Sequence, residues 1–334
     1  MADDFGYAGG APTQVDEPAP AEELEGRRAP AYDGPPREGR YRAPWWVRAI
    51  GIVLLVCLPL VLLCGVATGV VALLAYTSPA ASATSTQSFA VVGTPTVVIQ
   101  AEAGDVNVIA GSASQVTVRL TRTARALNSG LAQQALNDMR ITVTQAGDTI
   151  TIEEHAGAFE LKPLVVLRSF HLDLTVPTAT NLTATLSAGN LTADHLQGTV
   201  SIETNAGNVL VSHAQIRDAS IHSNAGTLRL EDVALSGNVT LGSNAGDIQL
   251  EGTLAPNTTL DAHLNAGSIA LALPAATSAH LDAATNAGDI NIAGWPISVD
   301  HNAAQASAGG DLTPNPSGTI TIRVDAGSVT VTAR

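Results

Sequence analysis

The sequence predicts an all-β protein: a parallel β-solenoid with two strands in each coil of about 20 residues, preceded by one transmembrane α-helix and a disordered tail. Three observations lead to this prediction. A turn motif recurs at a nearly constant interval, apolar and polar residues alternate between the turns, and 28 consecutive residues near the amino end carry no charge. The first two features are typical of a solenoid, and the third is typical of a membrane span.

The recurring motif is Asn-Ala-Gly or a close variant of it. Its glycines lie 18 to 21 residues apart, an interval that indicates a solenoid or another repeat array. Glycine accepts a positive φ, and asparagine tolerates left-handed geometry better than most residues, so we expect a tight turn at each motif. The eight glycines are Gly189, Gly207, Gly226, Gly246, Gly267, Gly288, Gly309 and Gly327.

Each interval between glycines contains two short runs of alternating apolar residues. After the fourth motif, Ile248 and Leu250 fall on one face, and Leu260, Ala262 and Leu264 do so after the next loop. A period of two predicts a strand with one buried face. Strands stacked ~4.8 Å apart would form two parallel sheets around a narrow aliphatic core. Such a core has little room for rings, and only 3% of the residues are aromatic.

Stacked coils would place one motif asparagine from each turn in a column. Side-chain amides in such a column can form a hydrogen-bonded ladder. A cation-binding strip that includes Asp247 and Asp289 is the alternative, but the paired glycines and regular aspartates of calcium-binding β-rolls are absent from the sequence. The predicted structural ladder consists of Asn205, Gly207, Asn224, Gly226, Asn244, Gly246, Asn265, Gly267, Asn286 and Gly288.

Composition divides the chain into a disordered, acidic and Pro-rich tail, a transmembrane helix, a linker, a β-rich capping region and the solenoid, over residues 1–43, 44–76, 77–88, 89–180 and 181–334. The capping region contains one amphipathic run, residues 128–139, that predicts a short helix with Asn128 or Ser129 as its N-cap. We expect this region to cover the open sheet edge of the first coil.

The uncharged run covers residues 49–76, which is long enough to cross a bilayer with some tilt. Trp45 and Trp46 precede it, where aromatic side chains favour the headgroup region. On the same side lie Arg37, Arg40, Arg42 and Arg48, whereas the next charge after the run is Glu102. This asymmetry predicts a single-pass protein of the cell membrane, with a cytoplasmic amino terminus and an extracytoplasmic carboxyl-terminal domain.

Two further interpretations of this segment stay open. Residues 81–83 read Ala-Ser-Ala, as at a signal-peptidase site, although the apolar run is longer than a usual signal-peptide core. Gly65 and Gly69 match the small-xxx-small pattern of helix dimers, a common motif that leaves open a homo-oligomer formed through the membrane helix.

A family resemblance rests on the order of several segments. Gly-Asp-Val-Asn-Val at residues 104–108 is followed by the helix-bearing insert, by Phe-His-Leu-Asp-Leu-Thr-Val-Pro at residues 170–177, and by a series of Gly-Asp-Ile or Gly-Asn-Val turns. This order resembles bacterial β-strand-repeat proteins of unknown function that carry an adhesin label. The resemblance covers residues 90–334, although the family more often has Ser-Gly where this chain has Asn-Ala-Gly. It implies a membrane-tethered or envelope-exposed β-solenoid.

The composition disfavours several classes of function. A net charge of −14 opposes nucleic-acid binding. Cys57 and Cys64 both lie inside the apolar run, so the rest of the chain can form neither a disulfide nor a thiolate metal site. His195, His213 and His222 fall in neighbouring coils, but we interpret them as sharing no common phase, so no metal centre is expected. We also expect no catalytic site and no cofactor, because the sequence shows no cluster of acids with a basic residue on one sheet face.

Two functional hypotheses follow. In the first, the solenoid is a structural or adhesive element of the envelope that contacts envelope polymers or another envelope protein. In the alternative, the outer solenoid senses envelope stress and the cytoplasmic tail transmits the signal.

Overall fold

The computed structural model describes residues 79–112, 114–155, 165–302 and 304–334. The acidic tail, the uncharged run and its flanking residues Trp45, Trp46 and Arg48 lie outside the described residues. Within the described part of the chain, no helix is both long enough and apolar enough to span a bilayer. The membrane anchor therefore stays a prediction from the sequence.

The described residues form eighteen strands and one helix, which confirms the all-β prediction. The helix α1 is Ser129–Asp138. The strands are β1 (Ala80–Ala90), β2 (Thr96–Gly111), β3 (Gln115–Ala126), β4 (Arg140–Ala146), β5 (Thr149–His155), β6 (Val165–Pro177), β7 (Asn181–Ala188), β8 (Leu191–Asp194), β9 (Gln197–Ala206), β10 (Val209–Ser212), β11 (Gln215–Ala225), β12 (Leu228–Leu254), β13 (Thr259–Leu273), β14 (Ala279–Ala287), β15 (Ile290–Ala293), β16 (Val299–Asn302), β17 (Gln305–Asp311) and β18 (Gly318–Ala333).

Parallel strands stack coil upon coil in two rows. In the row before the turns, β7, β9 and β11 are neighbours, and Leu182 pairs with Val200. In the row after the turns, β8, β10 and β12 are neighbours, and Leu191 pairs with Val209, which pairs with Leu228. These residues are all at most 2% exposed, so the alternating apolar positions face a continuous aliphatic core.

The order of the coils in space differs from their order in sequence at both ends of the stack. Strand β2 lies between β5 and β6 on one side and β7 and β8 on the other, so the first coil belongs to the predicted capping region and the boundary at residue 181 was wrong. Strand β18 lies between β13 and the pair β14–β15. Two strands can pair in parallel when their apolar and polar residues alternate in the same phase. Strands that are distant in sequence meet this condition as well as consecutive strands do.

The motif at residues 307–310 forms no coil turn. It lies inside β17, which runs antiparallel to β14 and pairs Gly309 with Asp282. Strand β16 pairs antiparallel with β17 at its other edge. Antiparallel strands therefore cover this end of the stack, although the sequence predicted a further parallel coil there.

The other end of the stack is also antiparallel. Strand β1 pairs with β3 over eleven residues, β3 pairs with β6, and β4 pairs with β5. The prediction of a linker at residues 77–88 was wrong, because its serines and threonines suit an edge strand and Phe89 packs partly buried against the core. This strand covers the edge of β3 that would otherwise be open.

Helix α1 lies where the amphipathic run predicted it. The Oδ1 atom of Asn128 accepts a hydrogen bond from the backbone N–H of Leu131 at 2.8 Å, as an N-cap does. Ala132, Ala135 and Leu136 are buried, and the helix packs against β3, β1 and β6. It therefore covers the antiparallel end of the stack.

Candidate functional site

The coil turns form a column of closely packed glycines. The φ angles of the seven turn glycines in the column lie between 127° and 149°, a range that disfavours other residues. A Cβ atom on Gly246 would lie 1.9 Å from the carbonyl oxygen of Gly226. Only a residue without a side chain fits, and in spatial order the column is Gly104, Gly189, Gly207, Gly226, Gly246, Gly267, Gly327 and Gly288.

The motif asparagines lie beside this column. The Nδ2 of Asn224 donates to Oδ1 of Asn205 at 2.6 Å, and Asn244 donates to Asn224 at 2.6 Å. Asn265 donates to Asn244 at 2.9 Å. The structure thus brings four of the five predicted asparagines into one hydrogen-bonded row.

The fifth predicted asparagine, Asn286, does not contact Asn265 in this row. Its Nδ2 donates instead to Oδ1 of Asp325 at 3.0 Å, because β18 lies between β13 and β14. All five glycines of the predicted ladder, from Gly207 to Gly288, belong to the glycine column.

A second polar row lies on the other side of the glycines, and the sequence analysis did not identify it. Asn190 donates from Nδ2 to Oδ1 of Asp105 at 3.0 Å, and its own Oδ1 accepts the backbone N–H of Asn208 at 3.1 Å. Oδ1 of Asn208 accepts the N–H of Thr227 at 3.0 Å. The sequence contains a signal for this row, because the residue directly after the turn glycine is a polar one in each of these coils: Asp105, Asn190, Asn208 and Thr227. We call the glycine column and its two flanking rows the polar ridge.

A second corner of the coils brings two histidines together with a carboxylate. The Nδ1 of His195 lies 2.8 Å from Oδ2 of Asp194, and the Nδ1 of His213 lies 2.9 Å from Oδ1 of the same residue. The two imidazoles are stacked, with centroids 5.0 Å apart and planes 24° apart. Both histidines have left-handed backbones, with φ of 60° and 49°. We call Asp194, His195 and His213 the histidine corner.

The groups of the histidine corner perturb one another. Burial acts to raise the pKa of Asp194, but hydrogen bonds from His213, Ser212 and His195 outweigh it and hold that pKa below its ordinary value. The hydrogen bond to Asp194 raises the pKa of His213 above its ordinary value. Each group therefore favours the charged form of the other.

The expectation that these histidines share no phase was wrong for two of the three. His195 follows Gly189 by six residues and His213 follows Gly207 by six, so stacking of the coils superimposes them. His222 occupies a different position, on β11 with its ring over Gly242. The equal distance from the preceding turn glycine is the sequence signal of the pair, and it identifies the pair once the stacking order of these coils is known.

The model of the Toastrack DUF4097 family matches residues 95–258 and, in a second overlapping match, residues 137–332. The chain belongs to the Toastrack DUF4097 family. This confirms the resemblance to adhesin-labelled β-strand-repeat proteins. The two Toastrack matches include the polar ridge and the histidine corner.

Solved structures similar to this Toastrack chain are distant in sequence. A proposed cell adhesion protein from Clostridium sporogenes has a TM-score of 0.35 and 11% identity, over 76% of this chain and 100% of that one. A proposed adhesin from Bacteroides fragilis has a TM-score of 0.35 and 11% identity, over 75% and 97% of the two chains. A proposed lipid-binding protein from Parabacteroides distasonis has a TM-score of 0.27 and 11% identity, over 74% and 96%. No curated protein matches the chain.

The Toastrack domain contains Trp295, and a lone tryptophan can serve as a sugar-stacking platform when its ring face is open. Trp295 is only 8% exposed, and its Nε1 donates to the carbonyl oxygen of Ala275 at 3.4 Å. Its ring therefore packs against the end of the core and presents no open face for stacking.

Proposed function

We propose that this chain is a single-pass membrane protein that displays its Toastrack domain outside the cell membrane as a structural or adhesive element of the envelope. The observation that carries the proposal is the polar ridge. Its side chains are exposed and bonded to one another from coil to coil, so the ridge presents ordered amide and carboxylate groups on a fixed backbone.

The repeat of the ridge suits an extended polar partner. Successive rungs lie one strand spacing apart, about 4.8 Å. Because each rung is held by its neighbours, little side-chain entropy is lost when a ligand binds along the row. A polymer that carries hydroxyl or amide groups at short regular intervals, as cell-wall polysaccharides do, can contact several rungs at once.

The membrane anchor in this proposal rests on the sequence. Residues 49–76 carry no charge, and Arg48 with the arginines before it indicates that this side is cytoplasmic. Strand β1 begins at Ala80, only a few residues after the uncharged run, so the Toastrack domain would lie close to the outer surface of the membrane.

The orientation can be tested with protease added to intact cells. We expect cleavage of the Toastrack domain at the outer surface, with an epitope near Asp16 protected until the cells are opened. Protection of the Toastrack domain together with loss of the Asp16 epitope would contradict the proposed orientation.

The adhesive role can be tested by co-sedimentation of the purified full-length chain with insoluble cell-wall polysaccharide. The variant carrying Asn205→Ala and Asn244→Ala removes two rungs of the ridge, and we expect it to bind at least about fivefold more weakly, since each lost hydrogen bond contributes about 1 kcal/mol. The matched control carries Ser201→Ala and Ser220→Ala, two exposed positions on the strands β9 and β11. Equal binding by the two variants would contradict a role of the ridge.

A further inference from the structure

We propose that the histidine corner, formed by Asp194, His195 and His213, binds one divalent transition-metal ion of the Zn²⁺ class. One ligand atom from each residue lies within 4.8 Å of the other two. Two imidazole nitrogens and one carboxylate oxygen form a donor set that Zn²⁺ prefers, and Ca²⁺ or Mg²⁺ would instead require oxygen ligands.

The ligand atoms lie close to the positions that metal coordination requires. The Nδ1 atoms of both histidines already face the carboxylate of Asp194, at 2.8 and 2.9 Å. Ligand atoms bound tetrahedrally to Zn²⁺ at about 2.0–2.2 Å lie about 3.3–3.5 Å from one another. The two nitrogens face different oxygens of the carboxylate, and the ligand atoms lie within 4.8 Å of one another. Side-chain shifts on the order of 1 Å therefore bring three ligand atoms to tetrahedral spacing, and the ion then replaces the protons that hydrogen-bond these groups.

Neighbouring residues orient the three ligands. The hydroxyl of Ser212 donates to Oδ1 of Asp194 at 2.9 Å, an outer-shell contact of the kind that orients metal-binding carboxylates. The backbone of each histidine occupies a left-handed corner, and the stacked rings limit each other's rotation. Glu231 and Asp232, which interact electrostatically with His213, add negative potential at the corner.

The site is open on its outer side. The side chains of His195 and His213 are 57% and 55% exposed, whereas that of Asp194 is 28% exposed. Three protein ligands leave a fourth position of a tetrahedral ion for water or for a ligand from another molecule. The metal site extends the function proposed above and does not depend on it.

The test uses the full-length chain without a polyhistidine tag, in detergent micelles, titrated with ZnCl₂ in a calorimeter and with CoCl₂ by visible absorption. We expect one ion per chain and Co²⁺ absorption bands typical of tetrahedral coordination. His195→Asn and His213→Asn should each weaken Zn²⁺ binding at least about tenfold. Asparagine is chosen because it tolerates the left-handed backbone of these positions.

The matched control is His280→Asn. The Nδ1 of His280 lies 2.6 Å from Oδ1 of Asp311, and among the residues that the structure describes no third ligand atom joins these two. We expect Zn²⁺ binding by this variant to equal that of the parent chain. Equal weakening by the control, or no stoichiometric binding by the parent, would overturn the proposal.

If either asparagine variant fails to fold, a second measurement tests whether Zn²⁺ binds at the histidine corner. In the parent chain, Zn²⁺ should shift the imidazole NMR signals of two of the eight histidines, and Asp194→Asn should abolish both shifts. Uniform small shifts of all histidine signals would mean non-specific binding and would contradict the site.

Discussion

The ring of Phe170 takes the place of a coil turn against Gly104. The two residues pair across β2 and β6, and a Cβ atom on Gly104 would lie 2.6 Å from Cζ of Phe170. Along the rest of the column, each turn glycine faces the carbonyl oxygen of the glycine before it. The glycine column therefore ends on an aromatic side chain, which is 4% exposed and part of the core.

This contact predicts strong coupling between the two positions. Gly104→Ala should destabilise the parent protein by about 1–3 kcal/mol because its Cβ overlaps the ring, and Phe170→Ala should cost about 3–5 kcal/mol. The double variant should cost little more than Phe170→Ala alone, because the shortened side chain makes room for the new Cβ. Urea unfolding of the four proteins measures the coupling, and additive losses would contradict the contact.

The glycine column predicts that an added Cβ lowers the free energy of unfolding more where two coil backbones are in close contact than where the glycine has only a positive φ. Gly246→Ala combines a φ of 135° with an overlap on the carbonyl oxygen of Gly226, so we expect a loss of about 3 kcal/mol or more. Gly147 has a φ of 62° and no atom within 4 Å of an added Cβ. Gly147→Ala should therefore cost only about 1 kcal/mol. Equal shifts of the urea midpoints of the two variants would contradict an additional loss of stability from the contact between coil backbones.

The asparagine row predicts a measurable contribution from a middle rung. Asn224 donates to Asn205 and accepts from Asn244, so Asn224→Ala removes two hydrogen bonds and should cost about 1 kcal/mol. The control is Asn137→Ala on helix α1, whose side chain accepts a hydrogen bond from Nε2 of Gln133 at 3.3 Å. We expect its unfolding free energy to change by less than about 0.5 kcal/mol. A change of the same size in both variants would mean that the asparagine row contributes no more to the unfolding free energy than an isolated surface amide does.

The ion pair between Asp282 and Arg323 predicts a loss of stability in acid. Its oxygen–nitrogen distance is 2.6 Å, and the hydrogen bond from Arg323 lowers the pKa of Asp282. The stabilisation is therefore complete above the unfolded value of about 3.9 and is lost as the pH falls through the lower folded pKa. Both side chains are partly exposed, so we expect about 1 kcal/mol or less.

This loss can be measured by urea unfolding at pH 7 and at pH 3. The parent should lose more stability between the two pH values than Asp282→Asn does. Asp300→Asn removes a different exposed carboxylate and should behave like the parent. Identical losses in the parent and in Asp282→Asn would contradict the assignment.

The parallel register predicts that one coil can be deleted. Removing residues 247–267 joins Gly246 to Ser268, so that Ile269 and Leu271 take the inward places of Ile248 and Leu250. Because stacked coils contact their neighbours, we expect a cooperatively folded protein about one strand spacing shorter, ~5 Å. Circular dichroism and small-angle scattering provide the check, and an unfolded or aggregated product would contradict an interchangeable coil.

The sequence predicted the repeating part of the fold because the same turn recurs with the same alternation on either side of it. It did not predict which coils are neighbours. Gly309 follows Gly288 by 21 residues, the same interval that separates Gly267 from Gly246, yet it lies in an antiparallel strand. Spacing alone does not encode strand direction. The linker prediction failed because residues 80–88 are small or polar, with no alternating large apolar residues, and yet they pair with β3.

The candidate site could be predicted in part for a similar reason. The asparagine row follows from the turn motif, but its last member, Asn286, bonds to Asp325 because β18 lies beside it. The histidine corner was hidden because its members occur in only two coils, and two occurrences establish no period. Their common distance from the turn glycine becomes informative only when the coils are known to stack in order at this point.

The place of β18 constrains the order in which the molecule can be completed. A ribosome produces β14–β17 before β18, yet β18 separates β14 and β15 from β13 in the finished stack. While β18 is still unsynthesised, β13 offers its edge to β14 and β15, whose alternation and 21-residue interval match those of the earlier coils. Any pairing formed there would have to open again before β18 could insert. In that case the slowest step of biogenesis should come after translation of Gly318–Ala333, and a chaperone that keeps β14 and β15 off β13 would accelerate it.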